Sequence, residues 1–296
     1  AGGGHASVTA TTNSTASATG ITVGDGGSFI RNSGTVSVQA RAYYVNEAAT
    51  LAVSTVGIQG GSGDDTIVNA GHIATSTNAG VWGGIATLGT GIGIDAGAGN
   101  DTVVLADGSS ISGDVVLGDG DDTLALTGRP MVNGLILAGD GADALLLDGA
   151  GHFGHNLWGF SHVTKQGAGT YAVTGLDSPT TLEIKQGTLE IDNDFEFAAT
   201  SSFSTVTNPD GSCGQLNIGG AGGLDGTLAV EREDGLFREQ VTYNIITANT
   251  LSGTFSEVLL PEPAPLLEFS MEQTSDRVRI SATPRSYASV ASNEVE

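Results

Sequence analysis

The chain has one cysteine, Cys213, so no disulfide can form within it. That suits a reducing cytosol, and equally a chain that crosses a periplasm and a narrow pore unfolded. Bases are scarce. Ten lysines and arginines stand against 33 aspartates and glutamates, for a net charge of −23. From Gly60 to Gly151 there are twelve aspartates and one strong base, Arg129. Phosphate recognition needs clustered Lys and Arg, so nucleic acid is excluded as a partner. An anionic membrane surface is excluded on the same ground. No run of about 18 apolar residues exists, so nothing spans a membrane as a helix and lipid insertion is not expected. Proline is seven residues only, and the 46 glycines follow no Gly-X-Y period, which excludes collagen. No signal peptide is visible, and Ala1-Gly-Gly-Gly4 reads as a cut within a longer chain.

What the chain has is repetition. Gly24-Asp-Gly-Gly-Ser-Phe-Ile-Arg-Asn-Ser-Gly34 aligns with Gly61-Ser-Gly-Asp-Asp-Thr-Ile-Val-Asn-Ala-Gly71. Ile30 then falls on Ile67, Asn32 on Asn69 and Val36 on Ile73. A third copy carries Gly97-Ala-Gly-Asn-Asp-Thr-Val-Val104. The period then shortens, to Gly118-Asp-Gly-Asp-Asp-Thr-Leu-Ala125 and Gly139-Asp-Gly-Ala-Asp-Ala-Leu-Leu146. In this register Asp65, Asp101, Asp122 and Asp143 form one column, and Ile67, Val103, Leu124 and Leu145 another. Short strands joined by Gly-rich turns cannot bury an apolar face alone, so such coils must stack as a solenoid. The expected fold is all-β: a parallel β-helix over residues 1–200, with a β-rich cap over 201–284 and the start of a linker at 285–296. The longer copies read as two coils each, or as one coil with a surface loop near Arg41–Thr55 and Thr77–Thr90. No long 3.6-residue period appears, except that Tyr287–Glu296 could begin a helix.

A second repeat type starts near Val163. Lys165-Gln-Gly167 recurs as Lys185-Gln-Gly187, and each copy leads into an alternating strand. After Glu231 charges become mixed and Gly thins out. The segments Gln240–Ala248, Glu268–Gln273 and Arg277–Thr283 read as longer, antiparallel strands. Residues 163–191 resemble the passenger-associated repeat of autotransporters, Lys-x-Gly-x-Gly-Thr-Leu, with Tyr171 in place of the first Leu. Residues 224–284 look like the C-terminal junction, or autochaperone segment, of such passengers. The resemblance rests on Gly226-Thr-Leu-Ala-Val230, Tyr243-Asn-Ile-Ile-Thr-Ala248, Leu251-Ser-Gly-Thr-Phe-Ser256, Pro265-Leu-Leu267 and Val278-Arg-Ile280. It implies a right-handed, single-stranded parallel β-helix, secreted or held on the bacterial cell surface through the outer membrane. It also implies folding roles for Gly226, Tyr243, Leu251, Gly253, Phe255, Leu267 and Val278. The partner implied is the chain's own outer-membrane β-barrel, which is not in this sequence. A host or neighbouring-cell ligand, or self-association, would be the target of an adhesive surface.

Other constellations are weaker. Gly60-Gly-Ser-Gly-Asp-Asp-Thr-Ile-Val68 fits a calcium nonapeptide, and Asp64, Asp65, Asp101, Asp122 and Asp143 are the calcium candidates. Calcium rolls need nonapeptides in tandem so that successive turns wrap one ion with six or more oxygens. Here the copies are too far apart, so the plainer reading is a turn with Asp accepting backbone N–H bonds. His152, His155 and His162 lie close in sequence, but the spacing reads as a loop rather than a zinc site. Tyr43, Tyr44 and Trp82 fall in the two expected loops, where they could contact a ligand or simply pack. No catalytic residue, metal or cofactor is assigned. A polysaccharide-acting enzyme would need paired carboxylates beside a base, and Arg129 is the only base in the acidic region. The expected function is a structural stalk or adhesin whose C-terminal part starts folding. The alternatives are a polysaccharide-acting β-helix and a calcium-dependent surface module.

Overall fold

A computed structural model of the protein describes residues 4–10, 16–44, 51–81, 86–262 and 266–285. The described chain is a parallel β-helix, built of short strands and turns. It divides into two compact units, Ala1–Leu145 and Leu146–Glu296.

In the first unit each coil contributes a strand to three faces. The first face stacks Gly4–Ala10, Thr35–Tyr44, His72–Val81, Ser110–Ser112 and Met131–Asn133. The second stacks Ala16–Thr22, Leu51–Gln59, Ala86–Ala98, Asp114–Asp119 and Ile136–Asp140. The third includes Phe29–Asn32, Thr66–Asn69, Thr102–Leu105 and Thr123–Thr127. Neighbours are parallel and in the register of the sequence repeat. Ile30 lies opposite Ile67, Ile67 opposite Val103, and Val103 opposite Leu124. Each long copy is therefore a single coil. Within the described residues the extra length extends the strands, because Thr35–Tyr44 keeps alternating and buries Val36, Val38, Ala40 and Ala42, while residues 45–50 and 82–85 of the expected loops lie outside the described residues. Tyr43 and Tyr44, expected in a loop, end that strand opposite Gly80 and Val81. Trp82 lies outside the described residues, as do 286–296, which hold most of the expected linker and the possible helix start.

The second unit makes two-strand coils. One face includes Phe160–Gln166, Thr181–Ile184, Ser202–Thr207, Thr227–Arg232 and Glu257–Leu259. The other stacks Gly151–Leu157, Thr170–Leu176, Thr188–Ile191, Gln215–Leu224 and Val241–Gly253. Here too apolar residues meet in columns, as in Val163, Leu182, Phe203 and Leu228, or Tyr171, Leu189 and Leu216. Parallel stacking thus continues well past residue 200. Val241–Gly253, read from its composition as antiparallel, is parallel to Gln215–Leu224 on one side, because Leu216 and Ile246 extend the inward column. Its other edge takes Arg277–Pro284 in antiparallel pairing, and Leu267–Gln273 completes the hairpin.

The turns depend on glycine where a coil leaves one face for the next. Gly118 has φ +116°, and a Cβ there would lie 1.7 Å from the carbonyl oxygen of Gly97 in the neighbouring coil. Both the backbone conformation and the space exclude a side chain. Gly118→Ala should therefore destabilise the protein by about 2 kcal/mol or more, read as a lowered midpoint of thermal unfolding.

Candidate functional site

The column of aspartates is present and faces inward. Asp65, Asp101, Asp122 and Asp143 are each 2% exposed or less. Each Oδ1 accepts the backbone N–H of the equivalent residue one coil nearer the N-terminus. Ser28 N donates to Asp65 at 2.7 Å, Asp65 N to Asp101 at 2.7 Å, Asp101 N to Asp122 at 2.7 Å and Asp122 N to Asp143 at 2.9 Å. The residue sits at the corner before a strand of the third face, so its side chain supplies an acceptor that the ladder does not.

The second carboxylate oxygens differ. Asp65 Oδ2 accepts Gly61 N at 3.1 Å. The Oδ2 atoms of Asp101, Asp122 and Asp143 are buried and have no hydrogen-bond partner. Burial, which disfavours the charged form, pushes the Asp101 carboxyl up to about 6. The hydrogen bond from Asp65 N–H opposes this rise, and the charges of Asp122, Asp65 and Asp64 add to it. Asp122 and Asp143 are raised for the same first cause.

An outer ladder runs beside the inner one, in the opposite sense. Asn100 N donates to Asp64 Oδ1 at 2.8 Å, Asp121 N to Asn100 Oδ1 at 2.9 Å, and Ala142 N to Asp121 Oδ1 at 2.8 Å. The calcium candidates therefore form lines along the stack, each side chain bound to the backbone of a neighbouring coil. Among the described residues no three His, Cys, Asp or Glu come together so as to hold a metal ion. The histidines lie in strands, not in the expected loop: His152 and His155 in Gly151–Leu157, and His162 in Phe160–Gln166. His162 is hydrogen-bonded to Thr181, and the His155 ring packs 5.3 Å from that of Phe153. Arg129 is exposed, and its backbone N–H is held by Asp107.

The residues singled out near the C-terminus are mostly core. Tyr243, Phe255, Leu267 and Val278 are buried, and Leu251 is half-buried. Tyr243 donates its hydroxyl to the carbonyl of Asn208 at 2.6 Å, and burial pushes it up to about 12. The Phe255 ring lies 5.6 Å from that of Phe197, which also meets Phe195 and Phe203. Gly226 turns with φ +71°, and Gly253 takes a similar conformation opposite Leu224. Leu236 and Leu259, apolar residues of the same segment, are instead exposed.

One residue had no signal in the sequence. Lys165 is fully buried, and its Nζ donates to the carbonyls of Gln166, Gly167 and Gln186 at 2.7, 2.6 and 3.3 Å. Burial lowers its ammonium, and the charge of Asp148 opposes that shift. Its apparent copy, Lys185, is exposed and pairs with Glu183 at 3.3 Å. The two differ because Lys165 lies opposite Ile184, not Lys185, so the second lysine falls one place further along and turns outward. Both sites bind backbone and neither brings reactive groups together. No protein-family model and no curated protein matches the chain.

Two outcomes follow from this geometry. Removing calcium with a chelator should leave the thermal midpoint nearly unchanged, because backbone N–H groups already engage the aspartates. Lys165→Met keeps the apolar stem and strips three carbonyls of their donor, so it should cost about 1–3 kcal/mol in chemical denaturation.

Proposed function

We propose that the chain is the C-terminal part of an autotransporter-type passenger, secreted or displayed on the bacterial surface. It serves as a structural, adhesin-type stalk, and its last segment starts folding and so drives outer-membrane translocation. One observation carries this reading: the parallel coil stack ends in an antiparallel hairpin, Leu267–Gln273 with Arg277–Pro284, laid along its last strand. An open parallel edge is a template for unwanted pairing, and a solenoid needs capped ends. This cap has a core of its own, with Tyr243, Phe269, Val278 and Ile280 buried. Its surface carries the pairs Arg277–Asp276, Arg279–Glu272 and Arg285–Glu268. The acidic coils of the first unit have no comparable mix of charges.

On this reading the last segment folds first as the chain emerges C-terminus first, and each added coil opposes slippage back through the pore. Its partner is then the chain's own β-barrel, and calcium has no required role.

The test expresses the whole chain between a signal peptide and an autotransporter barrel. Phe255→Ala should cost about 3–5 kcal/mol as a buried aromatic truncation. It should also slow refolding of the whole chain and reduce the amount displayed on intact cells. The reading fails if deleting Leu267–Pro284 leaves display intact. It also fails if the first-unit coils refold at the normal rate and outlast residues 241–284 under limited proteolysis.

A further inference from the structure

We propose that the inward aspartate column of the first unit holds protons, so that the coil stack tightens in mildly acidic surroundings and loosens towards neutrality. An ionised carboxylate has two oxygens that both need donors. Asp101, Asp122 and Asp143 each satisfy Oδ1 with one backbone N–H and leave Oδ2 buried and bare. A buried charge served by one donor is costly, and binding a proton removes the charge.

Asp65 provides a contrast within the same column: its Oδ2 has a donor of its own, Gly61 N.

The surroundings supply no counter-charge. The groups that act on the three carboxyls are themselves acidic. Asp64, Asp65 and Asp122 act on Asp101, Asp143, Asp121 and Asp119 on Asp122, and Asp121 on Asp143. On the second face the titratable side chains of these coils, Asp95, Asp114, Asp119 and Asp140, are acidic as well. The buried residues of the first and second faces are mostly apolar, as at Ile73, Ile111, Ile94 and Val115, with Thr55 a buried hydroxyl that carries no charge. Successive column members stand about one strand spacing, ~4.8 Å, apart. The ionisations of Asp101 and Asp122, and of Asp122 and Asp143, therefore oppose one another. A bound cation is the other means of relief, but each Oδ1 is committed to an N–H, and no metal-holding group exists among the described residues.

The direction of the effect follows from linkage. These carboxyls sit above their unfolded values, so the folded chain holds their protons more tightly. Their stabilising contribution is complete below about pH 4 and is lost as pH rises through the folded values. This inference rests on the column alone and stands or falls apart from the secretion reading.

The experiment compares the whole chain with Asp101→Asn/Asp122→Asn/Asp143→Asn and with a control, Asp25→Asn/Glu190→Gln/Asp192→Asn, which removes as many exposed charges away from the column. Thermal unfolding is followed between about pH 5 and 7.5, a range that brackets the upper carboxyl values. Proton release on unfolding is read from the buffer dependence of the calorimetric enthalpy. Wild type and control should gain several degrees on acidification and release protons near the middle of the range. The column variant should lose most of both effects, and its midpoint at neutral pH should rise. Should that variant not fold, Asp122→Asn alone should remove part of the proton release. A wild type that releases no more protons than the column variant overturns the proposal. So does a neutral-pH midpoint that calcium raises in wild type but not in the variant, since a cation would then occupy the column.

Discussion

Each coil of this protein satisfies its backbone only through the coils beside it. That constraint fixes the rest. Stacked strands hold equivalent residues in line, so an inward isoleucine must meet an isoleucine, valine or leucine, as at Ile30, Ile67, Val103 and Leu124. It also leaves a difficulty at the corners, where the chain turns out of the ladder and an N–H would go unpaired. The Asp-Asp pairs answer it twice. Asp65 and Asp122 point inward and serve the coil before them, while Asp64 and Asp121 point outward and serve the coil after them. Adjacent coils thus exchange acceptors across both sides of one turn.

The inner and outer ladders use one chemistry under different conditions. Outside, the aspartates Asp64 and Asp121 are exposed. Inside, the second carboxylate oxygens of Asp101, Asp122 and Asp143 are buried. A motif that looks uniform along the chain therefore contains two populations of aspartate, and burial opposes ionisation at Asp101, Asp122 and Asp143 of the inner one.

Much of this was legible because a solenoid writes its register into its sequence. The columns of Asp65 and Ile67 could be aligned by eye, since a shift of one residue would have turned every side chain to the wrong side. Tyr43 and Tyr44 could not be placed, because the small residues before them suit a loop as well as a narrow strand. Only the facing strand, which receives Ala40 and Ala42, decides between the two. Lys165 was hidden for a related reason. Two identical Lys-Gln-Gly segments invite one register, yet the columns Val163–Leu182 and Tyr171–Leu189 impose another. The direction of Val241–Gly253 was misread because composition reports mixed charge but not which edge a strand presents.

The third face keeps its register while the coils of the first unit change length, from 37 and 36 residues between equivalent positions to 21. Most of the difference is taken up where the first face passes to the second. In the short coils that passage is a tight turn, from Ser112 to Asp114 and from Asn133 to Ile136. In the long ones both strands run on past it. This edge is therefore the variable seam of the molecule, where sequence can be added or removed without disturbing the columns that hold the stack. A lineage under pressure to alter its outer surface could diversify there while leaving its folding apparatus unchanged, and a foreign peptide grafted at the same seam would be carried as an epitope on an intact scaffold.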